Sequence, residues 1–203
     1  MIDSVRNFDD AVETTIGGTH QSGRSDEDVV YLRIVNCNIP TIVTEFFIQF
    51  PSLQILHIAN GGLREIKRNV FNGANEIRII EFSSNDLRVI NAHSFHGLSS
   101  LNWLQLDGNN VVQVNENAFT NLDKLSVLLL NFNPITSLPP TVFYPLVGLH
   151  IMSLSHLRLT TIDGRLFAIN INLDIISLEN NEISAIESTF LDNVYNFFLE
   201  TSI

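Results

Sequence analysis

Residues 101–124 read LNWLQLDGNNVVQVNENAFTNLDK. Leu101, Leu104, Leu106, Val111, Val114, Phe119 and Leu122 are apolar, and Asn109 stands between the first three and the rest. The frame fits again 24 residues downstream, at Leu125, Leu128, Leu130, Asn133, Ile135, Leu138, Phe143 and Leu146. It fits 24 residues upstream at Ile77, Ile80, Phe82, Asn85, Leu87, Ile90, Phe95 and Leu98. A constant period of this length marks a solenoid, in which each repeat is one supersecondary unit. Seven units start in phase at Val29, Leu53, Ile77, Leu101, Leu125, Leu149 and Leu173, with no insertion or deletion.

The segment L-x-x-L-x-L ends in strict alternation, which predicts a short half-buried strand. In the fourth unit Leu104 and Leu106 point inward and Trp103, Gln105 and Asp107 point out. After Asn109 the chain must turn back, and the later apolar positions line the opposite wall. One such unit cannot bury its own apolar side chains; stacking closes its open faces and aligns the strands in a parallel sheet. The turn leaves backbone groups without ladder partners. A buried Asn amide both donates and accepts, so Asn85, Asn109, Asn133 and Asn181 can satisfy them. Cys37, Gly61 and Leu157 occupy the same column. Leu157 cannot make those bonds, which predicts a local irregularity. Phe47, Phe71, Phe95, Phe119, Phe143 and Phe167 form a second column, read as a stacked spine. In the seventh unit Leu191 holds that position and Phe190 comes one residue early.

The frame L-x-x-L-x-L-x-x-N-x-L-x-x-I-x-x-x-x-F-x-x-L-x-x resembles a leucine-rich repeat of the typical 24-residue class. The resemblance implies an α/β-type solenoid, mostly β with an irregular or 3-10 convex side. Its shape is a curved right-handed horseshoe with a parallel sheet on the concave face. The predicted organisation is an irregular N-terminal segment or cap over residues 1–28, seven repeats over 29–196, and a tail or incomplete cap over 197–203. Within the first segment, residues 11–16 favour a strand and Gly17, Gly18 and Gly23 a loop.

With 45% hydrophobic residues the chain can fill a continuous core. Its net charge of −11 argues against nucleic acid as a partner. No stretch is long and apolar enough to insert in a membrane. The start, MIDSVRNFDD, lacks the basic and apolar regions of a signal peptide. The single cysteine, Cys37, cannot form an intramolecular disulfide. Taken alone these features fit the cytoplasm. The resemblance implies an extracellular, secreted protein, as in Toll-type receptor ectodomains and insect secreted immune proteins. Those chains carry cysteine-rich caps, which this sequence lacks, so the expectation is an incomplete chain, with an unusual intracellular, cytoplasmic member as the alternative.

No catalytic constellation appears: there is no G-x-S-x-G, no Walker loop and no Cys–His pair at a known spacing. His93 and His96 form H-x-x-H, but two ligands without a third are no metal site. The reading is therefore of a non-enzyme with no cofactor and no metal.

The outward columns of the concave face carry the remaining information. One reads Tyr31, Ile55, Ile79, Trp103, Val127, Ile151 and Ile175, apolar throughout. β-branched and aromatic residues fit strands in any case, and neighbours in a sheet cover one another. At the centre, however, Trp103, Val127 and Leu129 lie on adjacent strands with Phe132 at the strand exit, while Gln105, Asp107 and Asn131 supply a polar rim. That arrangement resembles an apolar anchor for a protein partner. The function read from it is non-catalytic protein recognition in innate immunity or at the cell surface. The alternative is a structural protein that self-associates as a homodimer through the concave face.

Overall fold

The repeat turns the chain through one coil per unit and stacks the coils. In the computed structural model, which describes residues 23–191 and 198–200, this produces a curved right-handed solenoid. The expected strand over residues 11–16 lies outside the described residues.

In chain order the strands are β1 (Tyr31–Val35), β2 (Ile55–Ala59), β3 (Ile79–Glu81), β4 (Val89–Ile90), β5 (Trp103–Gln105) and β6 (Gln113–Val114). They continue with β7 (Val127–Leu129), β8 (Ile151–Ser153), β9 (Thr161–Ile162), β10 (Ile175–Ser177), β11 (Ala185–Ile186) and β12 (Phe198–Glu200). Eight of them form one sheet in the order β1-β2-β3-β5-β7-β8-β10-β12, parallel throughout. The register advances 24 residues per step, as in Leu56↔Ile80, Ile80↔Leu104 and Leu104↔Leu128. The last step is one residue shorter, Ile176↔Leu199. The segment predicted as a tail or incomplete cap thus contributes an eighth strand.

The core follows the columns. Leu56, Ile80, Leu104, Leu128, Met152 and Ile176 are buried on the inner side of the sheet. Behind them the phenylalanines stack: ring centroids are 6.2 Å apart for Phe71–Phe95, 6.0 Å for Phe95–Phe119 and Phe119–Phe143, and 5.5 Å for Phe143–Phe167. Phe190, despite its early position, closes the stack edge-on against Phe167 at 5.6 Å.

The asparagines bridge consecutive coils. Asn109 donates from Nδ2 to the Phe82 carbonyl of the preceding unit (2.8 Å) and the Leu106 carbonyl of its own (2.9 Å). Its Oδ1 accepts the Leu87 N–H at 3.2 Å. Asn85, Asn133 and Asn181 repeat the pattern, donating to Ile58, Leu106 and Leu154 carbonyls and accepting from Leu63, Val111 and Leu159 N–H. At Leu157 the predicted irregularity is absorbed locally. The amide that an asparagine there would serve, Ile135 N–H, donates instead to the Asn133 carbonyl at 2.9 Å, across Pro134. Where Gly61 interrupts the column, Ile39 N–H finds the Gly61 carbonyl at 2.6 Å. At both gaps a backbone carbonyl takes the place of the asparagine oxygen.

The convex side is irregular. Among the described residues it holds one five-residue α-helix, α1 (Glu45–Gln49), and two small ladders, β4–β6 and β9–β11. In those ladders Asn115 and Glu187 N–H donate to the Ile90 and Ile162 carbonyls. The equivalent position in the fifth unit is Pro139, which has no N–H, and the ladder breaks there. No helix among the described residues is long and apolar enough to cross a membrane.

Candidate functional site

The strands set the outward residues of the concave face in straight rows. Trp103, Val127 and Ile151 are neighbours in register, as are Gln105, Leu129 and Ser153. Within the first row exposure varies. Tyr31 at the end is 50% exposed, Trp103 is half-buried, and Val127 is 7% exposed. Val127, expected in the anchor, is thus almost fully covered by its neighbours in the row. A small side chain between an indole and an isoleucine is covered by both. Leu129 is half-buried and Phe132 is 58% exposed.

The polar rim is partly engaged within the protein. Gln105 donates from Nε2 to Asp107 Oδ2 at 2.8 Å. Asp107 Oδ1 accepts the Asn131 N–H at 2.7 Å, and Asn131 Oδ1 accepts the Ser155 N–H at 2.9 Å and the Ser153 hydroxyl at 2.6 Å. This is a second ladder, running along the concave edge. Burial pushes the Asp107 carboxyl above its ordinary value, against the hydrogen bonds from Gln105 and Asn131. Trp103 Nε1 is buried with no hydrogen-bond partner among the described residues. An indole so placed has no polar bond fixing its orientation.

Two features were missed in sequence. Across β2 and β3, His57 Nδ1 meets Glu81 Oε2 at 2.6 Å, a pair that the 24-residue step makes adjacent. At the strand exit, Asn36, Asn60, Ser84, Gly108, Phe132, His156 and Asn180 all have φ between 50° and 64°. The turn imposes the left-handed region on the whole column. Gly, Asn and His adopt it most readily, whereas for a bulky residue such as phenylalanine it is strained, by roughly 1–2 kcal/mol. Phe132 accepts that strain beside His156. Their rings are stacked, with centroids 4.2 Å apart and planes 14° from parallel. The signal was present: read as a column, the turn residues are interrupted by Phe132.

Cys37 is half-buried, and burial raises its thiol above the usual range, which disfavours the thiolate. Among the described residues no group of three or more His, Cys, Asp or Glu is placed to hold a metal.

The leucine-rich repeat family model matches residues 51–111 and 100–156, together just over half of the chain. The chain belongs to the leucine-rich repeat family. The fold is a known non-catalytic solenoid, consistent with no enzymatic activity. No curated protein matches the chain. Among solved structures it is similar to a chain in the crystal structure of a TLR13–ssRNA13 complex, with a TM-score of 0.77 and 21% identity. The match covers 86% of this chain and 26% of that one, so this repeat array spans about a quarter of its length.

That structure also corrects the expectation about partners. The same architecture occurs in a complex with single-stranded RNA, so the exclusion of nucleic acid does not stand. The physical reason is that whole-chain charge governs long-range steering, whereas contact is decided by the residues at the surface that binds.

Proposed function

We propose that this leucine-rich repeat array is a protein-recognition module of the extracellular, innate-immune type, binding through the centre of its concave face. The observation that carries the reading is Trp103: the chain's one tryptophan, on a central strand, half-buried, with a buried indole N–H that has no hydrogen-bond partner among the described residues. An indole held by packing alone can swing to an acceptor on a partner without giving up an internal hydrogen bond. Leu129 on the next strand and Phe132 beyond it extend the apolar surface, and Gln105, Asp107 and Asn131 border it. Interfaces concentrate binding energy in a few such large side chains. The 24-residue repeat with its phenylalanine column resembles the typical class found in secreted and cell-surface proteins, insect immune proteins among them, which supports the compartment.

The test uses a binding protein retrieved by the immobilised chain, with its affinity then measured in solution. Trp103→Ala should weaken that affinity by roughly 2–4 kcal/mol with little loss of stability. Lys67→Ala, an exposed site away from the sheet, should change little. A large stability loss with unchanged affinity would make Trp103 part of the scaffold and end the proposal. A dimer by light scattering that dissociates in the Trp103 variant would favour self-association instead.

A further inference from the structure

His156 stacks on one face of the Phe132 ring, and Phe132 is still 58% exposed. His156, on the following coil, covers the downstream side of the Phe132 ring. The residue at the same column position on the preceding coil is Gly108, which has no side chain to cover the other side. The ring is thus held out at the surface, 58% exposed, in a backbone conformation unfavourable for it. Strain kept at an exposed aromatic residue, where asparagine would sit without strain, points to a use for the ring itself.

Charge next to the open face identifies what would use it. Asp107 immediately precedes Gly108, and its carboxylate accepts the N–H of Asn131, the residue before Phe132. Among the described residues no lysine or arginine pairs with this carboxylate. Burial disfavours its charge, and no cation offsets that cost. Two residues past Gly108, Asn110 donates to the Asp86 carboxylate at 3.3 Å, so a second acid lies on the coil before Gly108. The basic residue of that column, Arg158, belongs to the covered side, two residues beyond His156. The chain as a whole carries −11.

We infer that the open face of Phe132, over Gly108 and beside Asp107, binds an arginine side chain presented by a protein partner. A guanidinium is flat, so it stacks on the ring, and its edge presents N–H donors in the fork geometry a carboxylate accepts. Lysine carries a point charge that cannot do both. The inference rests on the reading of the chain as a protein-recognition module, but it sets a contact at the strand-exit edge that is separable from Trp103.

The probe is the capped tripeptide acetyl-Gly-Arg-Gly-amide, titrated into the full chain and followed by NMR at the Phe132 ring and the Gly108 and Asn131 amides. Saturable shifts at these three places are expected, with the lysine analogue at least about fivefold weaker. Phe132→Asn, which suits the left-handed turn and so keeps the fold, should abolish them. Asp107→Asn, which retains an acceptor for Asn131 N–H, should weaken binding by about threefold or more. Equal binding of the lysine peptide, arginine binding that survives Phe132→Asn, or no shift at these sites overturns the inference. So does tighter binding of a uridine hexanucleotide at the same resonances, since an aromatic platform also stacks bases. Trp103→Ala separates the two readings. Arginine binding retained in a variant whose partner affinity is unchanged sinks the concave-centre proposal and leaves this one standing.

Discussion

Asn109 holds two coils with one amide. It donates to carbonyls on both and accepts an N–H from the earlier one, all in a place that water does not reach. Removing the amide strands those backbone groups, and each buried unsatisfied group costs about 1–3 kcal/mol. Asn109→Ala should therefore lower the unfolding free energy by about 1–3 kcal/mol, read from the midpoint of chemical unfolding. An unchanged midpoint would remove the asparagine from any structural role. Asp107 presents the opposite case, a side chain whose charge is unfavourable where it sits. Its folded carboxyl value is raised above the ordinary 3.8 because burial outweighs the hydrogen bonds from Gln105 and Asn131. A carboxylate raised on folding carries a penalty that is fully present above the folded value and gone below the unfolded one. Lowering the pH from about 7 through the carboxylate range should thus raise the stability of the wild type relative to Asp107→Asn. Unfolding curves of the two proteins across that range test the sign; a difference that is flat, or that moves toward the variant, contradicts it.

At the scale of the element, the turns are alike in path and unlike in what secures them. Val111 N–H is held by the Asn133 side chain of the next coil, so it opens only if two coils separate. Ile135 N–H is held by the carbonyl two residues before it, a local bond that opens within its own turn. Amide exchange should be faster at Ile135 than at Val111, because local opening needs less free energy than separation of coils. Equal protection at the two amides would mean that the Leu157 coil is secured by something other than the asparagine ladder. Proline acts in the same selective way on the convex side. Pro139 removes one N–H, and the small ladder present in the third and fourth units is absent in the fifth, while the concave strand of that unit is intact.

Over the whole molecule, periodicity made the architecture legible and made the surface hard to read. Seven copies of one frame encode the stacking direction, the 24-residue register, the phenylalanine spine and the asparagine ladder, because each depends on residue type at a fixed phase and on nothing remote. The eighth strand was not legible, since residues 198–200 fall one residue short of the phase. The candidate site was legible only in part. Sequence places Trp103, Leu129, Phe132, Gln105, Asp107 and Asn131 on the outward side, and the structure keeps them there. It also buries Val127 and spends much of the rim on internal hydrogen bonds, because exposure in a sheet depends on how large the lateral neighbours are. Those neighbours lie 24 residues away in the chain and about 4.8 Å away in space. The sequence by itself determined the coil, its repeat and its core, all local in phase. The stacking of Phe132 on His156, the pairing of His57 with Glu81 and the desolvation of Asp107 were decided by the tertiary structure alone. Each arises between coils, where side chains distant in sequence compete for the same strip of surface.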